Sequence, residues 1–266
     1  MQPTQSQKAD VFWALHEGEA FLIPNPWDAG SAKVLEALGF EALASTSGGF
    51  AFTLGRMDGD VTLDEVVEHT RALDQASSLP LSIDLENGYG SDPEDAARAV
   101  VAVAEAGAVG GSIEDYDPAE ERIYEVDHAA ERIVAAREAT ARLGFPFTLT
   151  ARAENHFRGN PDLDDTILRL QAYERAGADI LYAPRLGSLD EVRAISEATS
   201  KPLNVLARSG WSMSEIAAAG GQRISIGAQL AWVAVGAMAA AAKEMRDTGD
   251  LSSLRSSVRL EEWLGG

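Results

Sequence analysis

The sequence predicts a closed (β/α)8 barrel of the TIM type, with one helix ahead of the first strand and another added after the last unit. Three observations predict it. Eight short β-rich runs alternate with amphipathic, alanine-rich stretches along nearly the whole chain. Glycines close several of the helical stretches just before a strand, where a left-handed residue is needed. No Gly-x-Gly-x-x-Gly follows the first run, which favours the barrel over a doubly wound open sheet. The length of 266 residues suits one such domain, because barrels of about 250 residues are commonly undivided. A single domain, 1–266, is therefore expected, with the barrel over about 20–245.

The strands are expected at Phe21–Pro24, Ala42–Thr46, Leu81–Leu85, Val109–Glu114, Phe147–Ala151, Asp179–Ala183, Leu203–Leu206 and Arg223–Gly227. Several are continuously small or apolar, as strands buried on both faces are. Between them, Thr62 with Glu65, Ser188 with Glu191 and Ser212 with Glu215 spell the S/T-x-x-E capping box. Asp92-Pro93 supplies an N-cap with proline at the first helical position. Gly39, Gly107, Gly177 and Gly220 mark the stops, and Ala-Gly-Ala recurs at 106–108 and 176–178. Residues 5–17 read as the preceding helix and 251–264 as the terminal one.

Composition bounds the function. The chain is 45% hydrophobic but only 7% aromatic, so aliphatic side chains and alanine must supply most of the core. It has no cysteine, which removes disulfides, thiolate metal sites and thiol catalysis. A net charge of −20 argues against nucleic acid as a partner. It leaves a small anionic substrate open, since one Mg²⁺ and one Arg invert the field inside a cavity. The apolar stretch around Ala228–Ala242 is too short to span a membrane, and Met1–Asp10 is polar, so a cytoplasmic protein is expected.

Barrel enzymes carry their sites at the C-terminal strand ends. Asp84 and Glu86, two apart at the end of the third run, share one face, and Glu114 ends the neighbouring run. Three carboxylates so placed repel one another unless a cation joins them, and hard oxygen donors suit Mg²⁺ or Mn²⁺. The rival reading makes them helix caps or partners of arginine. Arg152 emerges from the fifth run, where its forked guanidinium can clamp a substrate carboxylate or pair with Glu114 or Glu154. The Ser47-Gly48-Gly49 turn offers backbone N–H groups to a carboxylate. Asn204, on the seventh run, joins Thr46, Ser47, Gly48 and Arg152 as a substrate-binding candidate. Asp58, Tyr116 and His156 are candidates for moving a proton, with Tyr124 as an alternative. Residues 115–127, with six acids and two tyrosines, read as a mobile, solvated cover over the site. The tail carries Leu251, Leu254, Val258, Trp263 and Leu264, more apolar surface than a solvated end needs, which points to a homo-oligomer.

These segments together resemble a known family. Asp84-Leu85-Glu86-Asn87-Gly88-Tyr89-Gly90 resembles the D-x-D-x-G-Y-G metal motif of the isocitrate lyase/phosphoenolpyruvate mutase family. Ile113-Glu114-Asp115, Ala151-Arg152-Ala153-Glu154 and the stretch from Asn25-Pro26 through Asp58 resemble its other rim segments. The resemblance implies Mg²⁺ (or Mn²⁺) bound directly by Asp84, with Glu86 and Glu114 acting through waters. It implies an α-oxo carboxylate held by Arg152 and the Thr46-Ser47-Gly48 turn, and chemistry through an enolate. It also implies a C-terminal helix exchanged within a homodimer or homotetramer. Two departures stand out. The second acid of the metal motif is Glu86 rather than Asp. The K-[KR]-C-G-H loop of the isocitrate-cleaving lyases is missing, which turns the expectation away from isocitrate itself. A lyase making or breaking a C–C bond in a small 2-oxo or 2-hydroxy (di)carboxylic acid through an enolate, such as an oxaloacetate-like acid or a substituted malate, is the leading expectation. A phosphonate P–C mutase or phosphonopyruvate hydrolase, and a carboxylate-binding protein without turnover, are the alternatives.

Overall fold

The structure, a computed structural model, describes residues 2–254 and 259–264. The chain runs α1 (Gln5–Leu15), β1 (Phe21–Ile23), α2 (Ala29–Ala37), β2 (Leu43–Ala44), α3 (Ser47–Thr53), α4 (Leu63–Ala76) and β3 (Leu81–Asp84). It continues through α5 (Pro93–Glu105), β4 (Gly110–Glu114), β5 (Tyr116–Asp117), β6 (Arg122–Ile123), α6 (Val126–Thr140), β7 (Thr148–Arg152), α7 (Leu163–Arg175) and β8 (Ile180–Tyr182). The last elements are α8 (Leu189–Ala198), β9 (Leu203–Leu206), α9 (Met213–Ala218), β10 (Gly221–Ser225), α10 (Gln229–Thr248) and α11 (Leu260–Leu264).

Eight parallel strands form one sheet in the order β1-β10-β9-β8-β7-β4-β3-β2. The ring closes between β1 and β2 by a backbone bond, Ala44 N–H to Pro24 C=O at 3.1 Å. Asn25 reinforces that seam: its Nδ2 donates to Ser45 O at 3.0 Å, and its Oδ1 accepts from Ile226 N at 2.9 Å. The result is the (β/α)8 barrel read from the sequence.

Strand boundaries differ from expectation for local reasons. The second strand stops at Ala44 because Thr46 is already the N-cap of α3, accepting from Gly49 N. The last strand starts earlier, at Gly221, and its far end turns into the approach to α10. Thr62 and Ser212 form full capping boxes. Ser188 caps Glu191 N, but the Glu191 carboxylate reaches instead to Gly187 N. The stop glycines hold positive φ, +116° at Gly107 and +102° at Gly177, which an L side chain would strain.

Helix α1 plugs the N-terminal end of the barrel, packing Ala9 and Phe12 against Phe21, Ile23, Ala42 and Val109. His16 of its C-cap is buried there, accepted into place through Phe12 O. Burial, and then the Arg223 charge, lower its pKa to about 3, so it stays neutral. The larger core lies between the strands and α2 to α9.

Two expectations about the periphery change. The terminal 251–264 stretch is not one continuous helix among the described residues. It comprises a 3₁₀ turn at Ser252–Leu254 and the short α11, which lies against α2. Val258 lies outside the described residues. The loop after β4 is not a free cover: β5 and β6 form an antiparallel hairpin whose base is tied down. Tyr124 is buried, with its N–H on Asp115 O and its carbonyl accepting from Arg169. The exposed residues of 115–127 are Pro118–Arg122, Glu125 and Asp127. Among the described residues, no helix is long and apolar enough to cross a membrane.

Candidate active site

A cavity of about 390 Å³ opens at the C-terminal end of the strands. The sequence-selected residues Thr46, Ser47, Gly48, Asp58, Asp84, Arg152 and Asn204 line it. Each arrives by local construction. Asp84 ends β3, where Ser47 donates to its Oδ2 from both Oγ (3.0 Å) and N (3.4 Å). Ser47 is therefore not a free nest: it opens α3 and orients Asp84. Gly48 backs onto Asp58, and a Cβ there would stand 3.4 Å from the carboxylate.

Arg152 ends β7 directly opposite Glu114 of β4 in the strand register. Its Nη1 lies 3.2 Å from Glu114 and 3.5 Å from Asp84, and its Nε donates to Glu154. Behind it, Asp115 accepts from Glu154 N at 2.8 Å and from Arg169 and Tyr173. The Asp115–Arg169–Tyr173 cluster thus fixes the segment that holds Arg152. Burial pushes the Glu114 carboxyl well above the usual carboxylate range, and Arg152 pulls it back.

The acids are crowded. Burial, then Asp84 and Asp58, push Glu86 up to about 8. Asp58 is exposed at the mouth as a residue, yet its carboxyl is desolvated against the wall, and that, with the Asp84 charge, raises its pKa. Acids that raise one another in this way, beside serine hydroxyls and without His or Cys, fit a hard divalent cation in donor chemistry. They are not gathered at ligand distance around one point among the described residues. Asp84 alone of the three metal candidates lines the cavity; Glu114 is covered by Arg152 and Arg158. Glu86 faces a second hollow with Tyr89, Arg122 and Tyr124. Its φ is +48° and that of Tyr89 +61°, and such non-glycine values concentrate at functional rims.

Two proton-moving candidates fall outside the cavity. Tyr116 lies under the Arg158 guanidinium, 3.5 Å from its ring centroid. His156 is buried behind the rim, its Nδ1 3.0 Å from Thr166 and its Nε2 3.8 Å from Glu191. Tyr124 is bound to Asn87 through its hydroxyl. The tyrosine that does line the cavity is Tyr182, on β8, pushed up to about 12 by burial. Phe157, Arg185, Arg223 and Trp232 also line it. Sequence reading missed these because none sits in a motif; Arg223 alone carried a signal, as a charge inside an apolar strand.

The family model described as phosphoenolpyruvate phosphomutase matches residues 12–246. The chain belongs to this family. It is 31% identical to an oxaloacetate decarboxylase of Bradyrhizobium diazoefficiens, over 87% of this chain and 79% of that one. A solved Burkholderia cenocepacia J2315 protein, described only as a lyase/mutase, is 47% identical with a TM-score of 0.95, covering 98% of this chain and 97% of that one. An oxaloacetate acetylhydrolase, solved with its product oxalate, is 26% identical with a TM-score of 0.88, covering 98% and 95%. The phosphoenolpyruvate mutase family fold thus accounts for the barrel and its rim. Reactions differ among relatives, so the residues of this chain must argue its own.

The crowding at Glu86 has a measurable consequence. Its folded pKa is raised above the ordinary 4.5, so its stabilising contribution is complete below that value and is lost as pH rises through about 8. Without metal, Glu86→Gln should therefore be the more stable protein at pH 8, by roughly 2 kcal/mol. At pH 4 the two should melt together. Saturating Mg²⁺ should raise the wild-type melting temperature at pH 8 more than that of the variant. Parallel melting curves across the whole pH range would assign the crowding no energetic weight.

Proposed function

We propose that this chain is an Mg²⁺-dependent lyase that makes or breaks a C–C bond in a small 2-oxo or 2-hydroxy acid. The observation that carries the reading is the meeting of Arg152, Asp84, Asp58 and the Ser47–Gly48 turn in one cavity at the strand ends. Asp84 would hold the cation, with Asp58 and Glu86 near, and a bound divalent ion supplies positive charge to polarise a 2-oxo group. Arg152, whose Nε and Nη1 are committed to acids, presents its remaining edge to the substrate carboxylate. Asp58 holds or releases the proton at the mouth, since its raised pKa brings the protonated form closer to neutral pH. Phe157, Met57 and Trp232 give the cavity an apolar part of its wall. A panel of 2-oxo, 2-hydroxy and phosphono acids, with and without Mg²⁺, tests this through release of pyruvate, oxalate or phosphate. Metal-dependent C–C cleavage supports the lyase. Phosphate from phosphonopyruvate would move the assignment to phosphonate chemistry, and binding without turnover would make it a carboxylate-binding protein.

The functional unit is read as a homodimer or homotetramer. Helix α10 leaves Val233 66% and Met238 62% exposed, with Leu230 and Trp232 beside them, and of its residues Ala231 is the buried one. An apolar helix face of this kind needs a cover. Light scattering at micromolar concentration should give a dimer or tetramer. A monomer would leave α10 and the tail as the private surface of one barrel.

A further inference from the structure

The cavity does not end at the level of Asp84 and Arg152. Ala44, Ser82, Ser112, Asn204 and Ser225 line it further down, towards Arg223. Barrel interiors are ordinarily filled by bulky branched residues. Here the inward positions carry small or polar side chains, and a shaft remains.

Arg223 ends that shaft. It is 5% exposed. Its Nε donates to Asn204 Oδ1 at 2.8 Å, its Nη2 donates to Thr150 Oγ1 at 3.0 Å, and its Nη1 lies 3.5 Å from His16 Nε2. All three partners are neutral, and among the described residues no carboxylate pairs with this guanidinium. Arg152, by contrast, is matched by Asp84, Glu114 and Glu154. The two cations therefore differ in what they can offer. The charge at the rim is already compensated, and the charge at the bottom is not. A buried cation without a counter-ion is costly, and an anion that reaches it removes that cost. Thr150, which Arg223 touches, precedes Arg152 by two residues on β7, so the two levels lie about 6.5 Å apart along the strand.

We infer that the barrel interior is a second anion subsite, in which Arg223 and the Asn204–Ser225 pair receive the distal carboxylate of a short-chain diacid. Its first carboxylate lies at the Arg152 level, so the substrate stands along the barrel axis rather than across the mouth. The inference rests on the reading of the rim as a 2-oxo or 2-hydroxy acid site, and it selects dicarboxylic over monocarboxylic members of that class. Asn204 donates to Ser225 Oγ at 3.0 Å, which holds its carbonyl on the Nε of Arg223.

Matched acids that differ in one terminal carboxylate test it: malate against 2-hydroxybutanoate, and 2-oxoglutarate against 2-oxopentanoate, by calorimetry with Mg²⁺. In the wild type, the diacid of each pair should bind at least about tenfold more tightly. Arg223→Gln should bring each ratio close to one. Ala44→Val, which narrows the shaft and keeps the guanidinium, should weaken the diacids and spare the monoacids; it also serves if Arg223→Gln does not fold. Equal binding within each pair in the wild type, or a ratio that survives in both variants, overturns the subsite. Oxalate with Mg²⁺ is the control for the rim. If oxalate fails to bind, the Mg²⁺-lyase reading fails, and the shaft is then read by metal-free melting in malonate at constant ionic strength. Stabilisation of the wild type that either variant lacks supports the subsite, and identical melts overturn it.

Discussion

Asp84→Ala is expected to abolish Mg²⁺ binding and to lower turnover by roughly 10³-fold or more, the scale of several kcal/mol of lost charge stabilisation. Of the three metal candidates, Asp84 is the one that lines the cavity, and Ser47 fixes its orientation through two contacts. The barrel should survive the change. Asp84 sits at the end of β3 with its side chain outside the main hydrophobic cluster, and its removal relieves the repulsion that raises Glu86 and Asp58. Calorimetry with Mg²⁺ on the folded variant decides the matter. An affinity equal to wild type would remove Asp84 from the metal site and leave the cation, if one binds, to acids elsewhere.

Arg152→Lys should lower kcat/KM by roughly 10²-fold, because the charge persists while the fork is lost. Arg152 contacts three acids through two separate nitrogens, Nε to Glu154 and Nη1 to Glu114 and Asp84. A lysine ammonium is a single point and cannot face all three while also meeting a substrate carboxylate. Arg152→Met should differ in kind. It leaves Glu114 and Glu154 buried without their principal cation, a loss of about 3–5 kcal/mol unless they take up protons. Steady-state kinetics of the lysine variant, with melting curves of both, separate the two roles. Near-normal kinetics in Arg152→Lys would make this residue a purely structural partner of Glu114 and Glu154.

The barrel was legible because its signals are local and repeated. Capping boxes at Thr62 and Ser212 and stop glycines at 107 and 177 mark helix ends whatever the tertiary surroundings. The rim was legible for a related reason: a residue at a strand end has a known place once the fold is known. Asp84, Arg152 and the Thr46–Gly48 turn were found that way. Direction was not legible. Tyr116 and His156 sit close to the rim in sequence, yet Arg158 covers one and Thr166 holds the other inside. Glu86 has the spacing of a ligand but lines a second hollow, at a positive φ that no period-two argument anticipates. Tyr182 and Arg223 were hidden because an inward residue of a barrel strand is as often packing as function. Their neighbours Ser225 and Asn204 decide which, and those come from other strands.

The seam between β1 and β2 has a dynamic corollary. Elsewhere, adjacent strands share ladders of paired residues, whereas here the circle is joined by one backbone bond and the side chain of Asn25. A cylinder stitched so lightly along one line breathes there before it breathes anywhere else, and local opening follows the weakest contacts. That line ends at Ser45, the residue whose hydroxyl accepts from Asp84 N. Opening along this line would therefore reach the foot of the Asp84 carboxylate first, whereas Arg152 is held in register with a strand on each side.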